Sequence, residues 1–474
     1  MSAPNSLRFT LVGGGLGGAL LSAHLGRAGY NVDLYERRPD PAAGTLVGGR
    51  SINLAISVRG IHALSQVGLA DEVLKLAVPM RGRMIHSRDG TLTFQPYDKD
   101  PSRAINSISR GGLNALTLGV AQKMPNVRVF FEHKCTEVDL DAPRAEFLDQ
   151  RDNRTVQAGG DAVIGIDGAF SVVRRAMQRL DRFNYSQQYL EHGYKELSIP
   201  PKDGGGFRIE PNALHIWPRR SFMMIGLPNI DGSFTCTLFF QFDGARSFAA
   251  LRSDDDVRRF FEQEFPDAVP LMPTLLQDYR EHPVGSMVTV RSRPWHYGGR
   301  VALVGDAAHA VVPFYGQGAN AAFEDCTVLS ECLARHAPNL ERAFAEYDAL
   351  RRDNVNTLAN LALSNFIEMR DHTGSRTFLM HKKLERTLHR ALPGVYTPLY
   401  TMVSFTRTPY ADAVRGAARQ DRVVASIGAI LVVIVLAVVF RLAGWRWSEG
   451  VLAGGVIVLA AALLFALRPR AVVD

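Results

Sequence analysis

The chain has 474 residues, 46% of them hydrophobic and 21% charged, with a formal net charge of +7. That length buries large cores in two or three domains. It excludes a disordered composition and a disulfide scaffold, since the four cysteines include no C-x-x-C pair and are expected to be reduced thiols. No compact Lys/Arg run precedes residue 400, so the basic excess is not read as a nucleic-acid surface. Much of it sits at Arg415, Arg419, Arg422, Arg441, Arg446, Arg468 and Arg470.

The N-terminal MSAPNSLRFT is polar and has no apolar secretory core, so no targeting segment is expected before the first strand. RFTLV reads as a strand, LGGALLSAHLGRAG as a helix stopping at Gly29, and NVDLYER as a second strand, a βαβ start over residues 7–40. G-x-G-x-x-G is formed by Gly13, Gly15 and Gly18. Alone it is a weak signal. Here it follows a strand and opens a helix, and Glu36 stands 18 residues after Gly18 at the end of the next strand. Gly13 permits the tight turn, Gly15 lets a pyrophosphate approach the backbone, and Gly18 lets the helix pack on the sheet. The helix N-terminus offers free N–H groups, and Glu36 can accept hydrogen bonds from a ribose.

Residues 55–80 read as helical, ended by Pro79, and NVRVFFEHKCTEVDLD and DAVIGIDGAF as strands. From about residue 205 the runs ALHIWP, SFMMIGLP and FTCTLFFQF predict a second, largely antiparallel sheet. Alternation in the last run places Phe234, Cys236, Leu238, Phe240 and Phe242 on one face and Phe239 on the other, where it either lines a cavity or covers sheet edge. RVALVGDAAHAV reads as a buried strand, a turn at Gly305-Asp306 and a helix start, and Asp306 by itself would be an ordinary cap. Residues 320–420 read as mostly helical. Arg83, beside Arg81 and Arg88, would alone be a solvated charge, and Asn365 and Tyr400 would be packing residues. The histidines show no ligand spacing, so no metal is expected and His309 reads as structural. Two uncharged 18-residue runs, 423–440 and 450–467, close the chain. Each spans about 27 Å as a helix, against a hydrocarbon core of about 30 Å. A buried core helix could be as apolar. Bracketing by Arg422, Arg441, Trp445, Trp447 and Arg468 favours a membrane helix hairpin, with the body on the cytosolic, arginine-rich side.

The glycine turn, then GIDGAFSVVR with Asp167 and Gly168, then GDAAHAVVPFYGQGAN with Asp306, stand in the order and spacing of the FAD-dependent aromatic hydroxylases, and the chain resembles that family. The strings GRSINLAIS, MRGRMIHS, INSISRGGLN, LHIWPRRSFMMIGLPN, NFIEMRDH and PLYTMVSFTR extend the likeness to about residue 420. The resemblance implies an α/β chain with a Rossmann-like FAD-binding domain (1–180 and 286–350) and an inserted antiparallel β-sheet substrate domain (181–285). A helical region (351–420) would complete the substrate site, before the membrane anchor hairpin (421–470). It implies non-covalent FAD, NADPH as a transient reductant without a Rossmann domain of its own, O2, and hydroxylation of the ring of L-kynurenine. The flavin then carries the chemistry, and no catalytic side chain is expected.

On the matching strings, Arg83 and Tyr97 would grip the substrate carboxylate, with Asn365, Glu368 and Tyr400 completing that polar end. Phe239 and Phe314 would wall the ring. Arg110, Asp167, Asp306, Ala319 and Asn320 would join Gly13, Gly15, Gly18 and Glu36 around the flavin. Tyr315 receives no role. A planar, permanently charged guanidinium suits an α-amino-acid carboxylate in its own right. Two other readings stay open: a membrane-bound flavin epoxidase or reductase acting on a lipid, and a non-enzymatic flavoprotein anchoring partners at a membrane. The bilayer would be the cytoplasmic membrane of a bacterium or the mitochondrial outer membrane of a eukaryote.

Overall fold

A computed structural model describes residues 6–41, 53–369, 376–392 and 394–442. The chain opens with β1 (Arg8–Val12), α1 (Leu16–Arg27) and β2 (Asn31–Tyr35), followed by β3 (Asn53–Ile56), α2 (Val58–Ser65), α3 (Ala70–Lys75) and β4 (Val78–Met80). Next come β5 (Gly82–His86), β6 (Leu92–Pro96), β7 (Ile105–Ser109), α4 (Arg110–Gln122) and β8 (Val127–Phe130). A meander of β9 (His133–Asp139), β10 (Arg144–Asp149) and β11 (Arg154–Gly159) leads to β12 (Ala162–Gly165) and α5 (Val172–Met177). Then follow β13 (Asn184–Ile199), β14 (Ala213–Pro218), β15 (Met223–Pro228), β16 (Phe234–Gln241), α6 (Asp254–Glu264), α7 (Leu275–Glu281) and β17 (Gly285–Arg293). The chain continues through β18 (His296–Tyr297), β19 (Val301–Leu303), α8 (Asp306–His309) and α9 (Gly318–His336). The last helices are α10 (Leu340–Ile367), α11 (Arg376–Ala391), α12 (Leu399–Phe405) and α13 (Tyr410–Leu442).

Two sheets organise these elements. The first runs β18-β19-β12-β1-β2-β8, parallel except for the β18–β19 pair. β1 is buried because α1 and the β9–β11 meander both pack on this sheet; Phe9, Leu11 and Val12 are buried, as is Thr10. The second is seven-stranded, β17-β13-β16-β15-β14-β5-β6. It is largely antiparallel, but β14 pairs with β5 in parallel. The substrate sheet expected from 181–285 alone therefore also recruits residues 82–96 and β17. Its outer face packs Phe222, Phe234, Leu238 and Phe240 against Phe261 of α6 and the Phe265 that follows it. Phe239 points the other way, into the main core with Met223.

Residues 55–80 are not one helix. They alternate strand and helix, and Pro79 lies within β4, the edge of a small β3-β7-β4 sheet. An edge tolerates a residue without an N–H.

A buried ionic chain ties α2, α9, α10 and α13 together. Arg59 of α2, fully buried, pairs with Glu324 at 2.5 Å and lies 4.1 Å from the Tyr410 ring centroid. Arg351 of α10 also pairs with Glu324 and donates to Asp325 Oδ1 at 2.6 Å. Buried charges persist when paired and hydrogen-bonded, and removing one partner typically costs about 3–5 kcal/mol.

The first apolar run continues α13, with Val423, Ile427, Ile430, Leu431, Ile434 and Val435 exposed. Among the described residues no helix is long and apolar enough to cross a membrane. The second run, 450–467, lies outside them, so the fold lends the expected hairpin no support.

Candidate active site

The glycine turn joins β1 to α1 beside β2 and β12. The Gly13 N–H donates to the Tyr35 carbonyl at 2.8 Å. Gly13 has a φ of +109°, and an added Cβ would meet the Ile166 carbonyl at 2.7 Å, so only glycine fits. A Cβ at Gly18 would lie 1.8 Å from the Gly13 carbonyl oxygen. Gly15 differs: nothing lies within 4 Å of where its Cβ would sit. That space borders the start of α1, whose first N–H groups lack intrahelical acceptors. Glu36 is 6% exposed. Its Oε2 accepts from the Gly14 N–H at 2.7 Å, and its Oε1 from the Arg38 backbone N–H at 2.9 Å. Asp167 follows β12; its Oδ2 accepts from the Val172 N–H at 2.6 Å, and its Oδ1 is buried without a partner. Burial pushes this carboxyl up, against hydrogen bonds from Ser171 and Val172.

The second half of the cradle begins after β19. Gly305 takes a φ of +60°, and Asp306 opens α8 with its side chain exposed. Protein groups nonetheless surround the carboxyl, so desolvation pushes it up, while His309 and Arg110 pull it down. Arg110, exposed at the start of α4, thus shares the field of Asp306. Ala319 and Asn320 lie in the first turn of α9. The Asn320 amide is fully engaged by protein: Nδ2 donates to the carbonyls of Ala55 and Gly316 at 2.8 and 2.9 Å, and Oδ1 accepts from the Ser57 N–H at 2.8 Å. What α9 offers a ligand here is backbone N–H groups. Open space at Gly15, an unpartnered Asp167 oxygen and an accessible Asp306 together fit a dinucleotide such as FAD.

Sequence reasoning missed what holds the Asp306 turn. Asp325, fully buried, accepts from the Gly305 N–H at 3.1 Å and from His309 Nε2 at 2.5 Å. Its pKa is lowered because His309 and Arg351 outweigh the desolvation that opposes them. The Glu324-Asp325 pair in "GANAAFEDC" is the only signal in the sequence, and nothing local links Asp325 to residue 305.

The polar end of the site forms where β5 and the segment after β6 meet α12. The Arg83 guanidinium carbon lies 5.1 Å from the Tyr400 ring centroid and 5.8 Å from that of Tyr97. Its Nε is buried without a hydrogen-bond partner. Burial alone would lower its pKa, but Tyr400, Tyr97, Glu368 and Tyr315 more than offset this, so the charge stays. Tyr97 and Tyr400 stack at 5.2 Å, and Tyr315 and Tyr400 at 5.6 Å. Burial pushes all three phenols up, which keeps them protonated donors. A buried cation among hydroxyl donors is a setting for an anion. Tyr315, which the family likeness left without a role, is part of this cluster.

The apolar end adjoins it through consecutive residues. Phe314 stacks on Phe366 at 4.1 Å and meets Phe239 at 4.9 Å. Asn365 donates through Nδ2 to the Phe314 carbonyl at 2.6 Å, so this amide holds the aromatic wall. Glu368 caps α10 and contributes charge near Arg83.

A parallel sheet with a glycine cradle at its switch point, beside a β-sheet carrying an aromatic and cationic cleft, defines the FAD-binding monooxygenase class. A family model described as an FAD binding domain matches residues 8–360. Solved structures of similar fold include 2-methyl-3-hydroxypyridine-5-carboxylic acid oxygenase (TM-score 0.62, 19% identity, 80% of this chain and 96% of that one). Another is pqsL, a probable FAD-dependent monooxygenase from Pseudomonas aeruginosa (TM-score 0.63, 20% identity, 80% and 100%). Kynurenine 3-monooxygenase of Myxococcus xanthus is 47% identical over 427 residues, covering 90% of this chain and 92% of its own. The Dictyostelium discoideum enzyme of that name is 47% identical over 425 residues, covering 87% and 91%. The chain belongs to the kynurenine 3-monooxygenase family.

Proposed function

We infer that this chain is an NADPH- and FAD-dependent monooxygenase that converts L-kynurenine and O2 to 3-hydroxykynurenine, a step of tryptophan degradation. The observation that carries this reading is the buried Arg83 among Tyr97, Tyr400 and Tyr315, joined through Phe314 to an aromatic wall. A kynurenine molecule has that polarity: an amino-acid carboxylate at one end and an aniline ring at the other.

Gly13, Gly15, Gly18, Glu36, Arg110, Asp167, Asp306, Ala319 and Asn320 would hold FAD. Reduced by NADPH, the bound flavin supplies activated oxygen. The chain's own work is placement. Arg83, Tyr97 and Tyr400 bind the carboxylate, with Asn365 and Glu368 at the same end. Phe239 and Phe314 orient the ring and exclude water, which keeps the activated oxygen from wasteful release as peroxide. A lipid substrate has no use for a buried guanidinium, which disfavours the epoxidase or reductase reading. The test is product analysis: purified protein incubated with kynurenine, NADPH and oxygen should yield 3-hydroxykynurenine. NADPH oxidation unstimulated by kynurenine would refute the reading.

The reading extends to location. The exposed aliphatic stripe on α13 and the second apolar run, 450–467, are proposed to anchor the chain in a bilayer with the catalytic body on the cytosolic side.

A further inference from the structure

We infer that Asp98 and Thr401 form a pin that sets the spacing of the two tyrosines in the carboxylate clamp; this rests on reading Arg83, Tyr97 and Tyr400 as that clamp. Asp98 directly follows Tyr97, and Thr401 directly follows Tyr400. The Thr401 hydroxyl donates to Asp98 Oδ2 at 2.9 Å, joining segments 303 residues apart. The bond lies one residue beyond the Tyr97–Tyr400 stack on each segment.

The Asp98 carboxylate is wholly inaccessible to solvent. An isolated buried carboxylate is costly unless donors surround it. Asp98 gathers them from its own turn and from Thr401. Its Oδ1 accepts from the Asp100 N–H at 3.0 Å, and its Oδ2 from Arg103 Nη1 at 3.2 Å. His389 Nε2 of α11 lies 3.7 Å from Oδ2. The other ring nitrogen of His389 bonds the Tyr396 carbonyl at 2.8 Å, which fixes the ring, and Lys99 Nζ donates to the His389 carbonyl at 3.1 Å. One carboxylate thus joins the segment bearing Tyr97 to both α11 and α12.

Asp98 and Thr401 act through their neighbours as positioning residues. A clamp of one guanidinium and two phenols works only when its members are held to about half an ångström, and supporting hydrogen bonds supply that restraint.

The test uses the FAD-loaded full chain. L-Kynurenine and kynuramine, the same molecule without its carboxyl group, are titrated by flavin fluorescence. The variants are Thr401→Val, Thr401→Ser, Asp98→Ala and Arg83→Met. Thr401→Val should weaken kynurenine binding about three- to tenfold and leave kynuramine binding unchanged. Thr401→Ser, which restores the hydroxyl, should match the parent, and Asp98→Ala should follow Thr401→Val. Equal losses for both ligands would indicate general disorder and overturn the pin. An unchanged ratio of the two dissociation constants in Thr401→Val, with a collapsed ratio in Arg83→Met, overturns the pin and leaves the clamp standing. An unchanged ratio in Arg83→Met overturns the clamp and the pin with it.

Discussion

Gly15 and Gly18 stand three residues apart in one motif, yet opposite outcomes are expected when each is changed to alanine. At Gly15 the backbone has a φ of −67°, open to any residue, and nothing lies within 4 Å of the new methyl. Alanine there lowers the entropy of the unfolded chain, worth about 0.4–1 kcal/mol. It also gives up a favourable N-cap, at a cost of up to about 1 kcal/mol. The stability of the flavin-free protein should therefore stay within about 1 kcal/mol of the parent. The methyl instead fills the space through which a pyrophosphate reaches the N–H groups. Losing one charge-assisted contact of about 1.5–3 kcal/mol should weaken FAD binding on the order of tenfold to a hundredfold. At Gly18 the methyl would lie 1.8 Å from the Gly13 oxygen. Helix and turn must separate, so the flavin-free protein itself should lose about 1–3 kcal/mol or more. Denaturant unfolding of the apoprotein and FAD titration by fluorescence quenching measure the two effects separately. Unaltered FAD affinity in Gly15→Ala, or a loss of apoprotein stability equal to that of Gly18→Ala, would refute the assignment of the cradle.

Arg83→Met should weaken kynurenine binding about tenfold to a hundredfold with FAD content unchanged; an unaltered dissociation constant removes Arg83 from the site. His24 is neutral in the fold, because burial lowers its pKa to about 4, and its Nε2 lies 3.0 Å from the Ala63 carbonyl. The unfolded chain binds the proton more readily, so this contribution is complete above about pH 6.5 and is lost as pH falls toward about 4. His24→Gln should flatten that part of the stability-against-pH curve, measured by urea unfolding at each pH, and an unchanged slope would count against it. A chain ending at Arg422 keeps the bond from the Thr397 N–H to Gln420 at 2.7 Å and that from Tyr396 to Asp421 at 3.2 Å. It should leave the membrane fraction and still hydroxylate kynurenine. Sedimentation with membranes after a high-salt wash would place the anchor elsewhere.

The strand–turn–helix geometry proposed as the nucleotide cradle is legible in the sequence because its determinants are local. Gly13, Gly15 and Gly18 act within one turn of chain, and Glu36 within one βαβ unit, so spacing alone specifies which backbone positions must be bare. The alternation in FTCTLFFQF likewise separates Phe239 from Phe234, Leu238 and Phe240, and they do face different cores. Family likeness, not periodicity, pointed to Arg83, Tyr97 and Tyr400. Local pattern reads Arg83 as a surface charge, since nothing near it in the chain shows that β5 will pair with β14 and lie under α12. The same holds for Tyr315 and for Asp325, whose partners are Gly305 and His309 at α8 and Arg351 of α10. Backbone turns and helix faces follow from neighbours along the chain, whose geometry is fixed by covalent connection. The protonation and pairing of buried groups depend on which distant segments exclude water around them, and only the packed tertiary structure decides that.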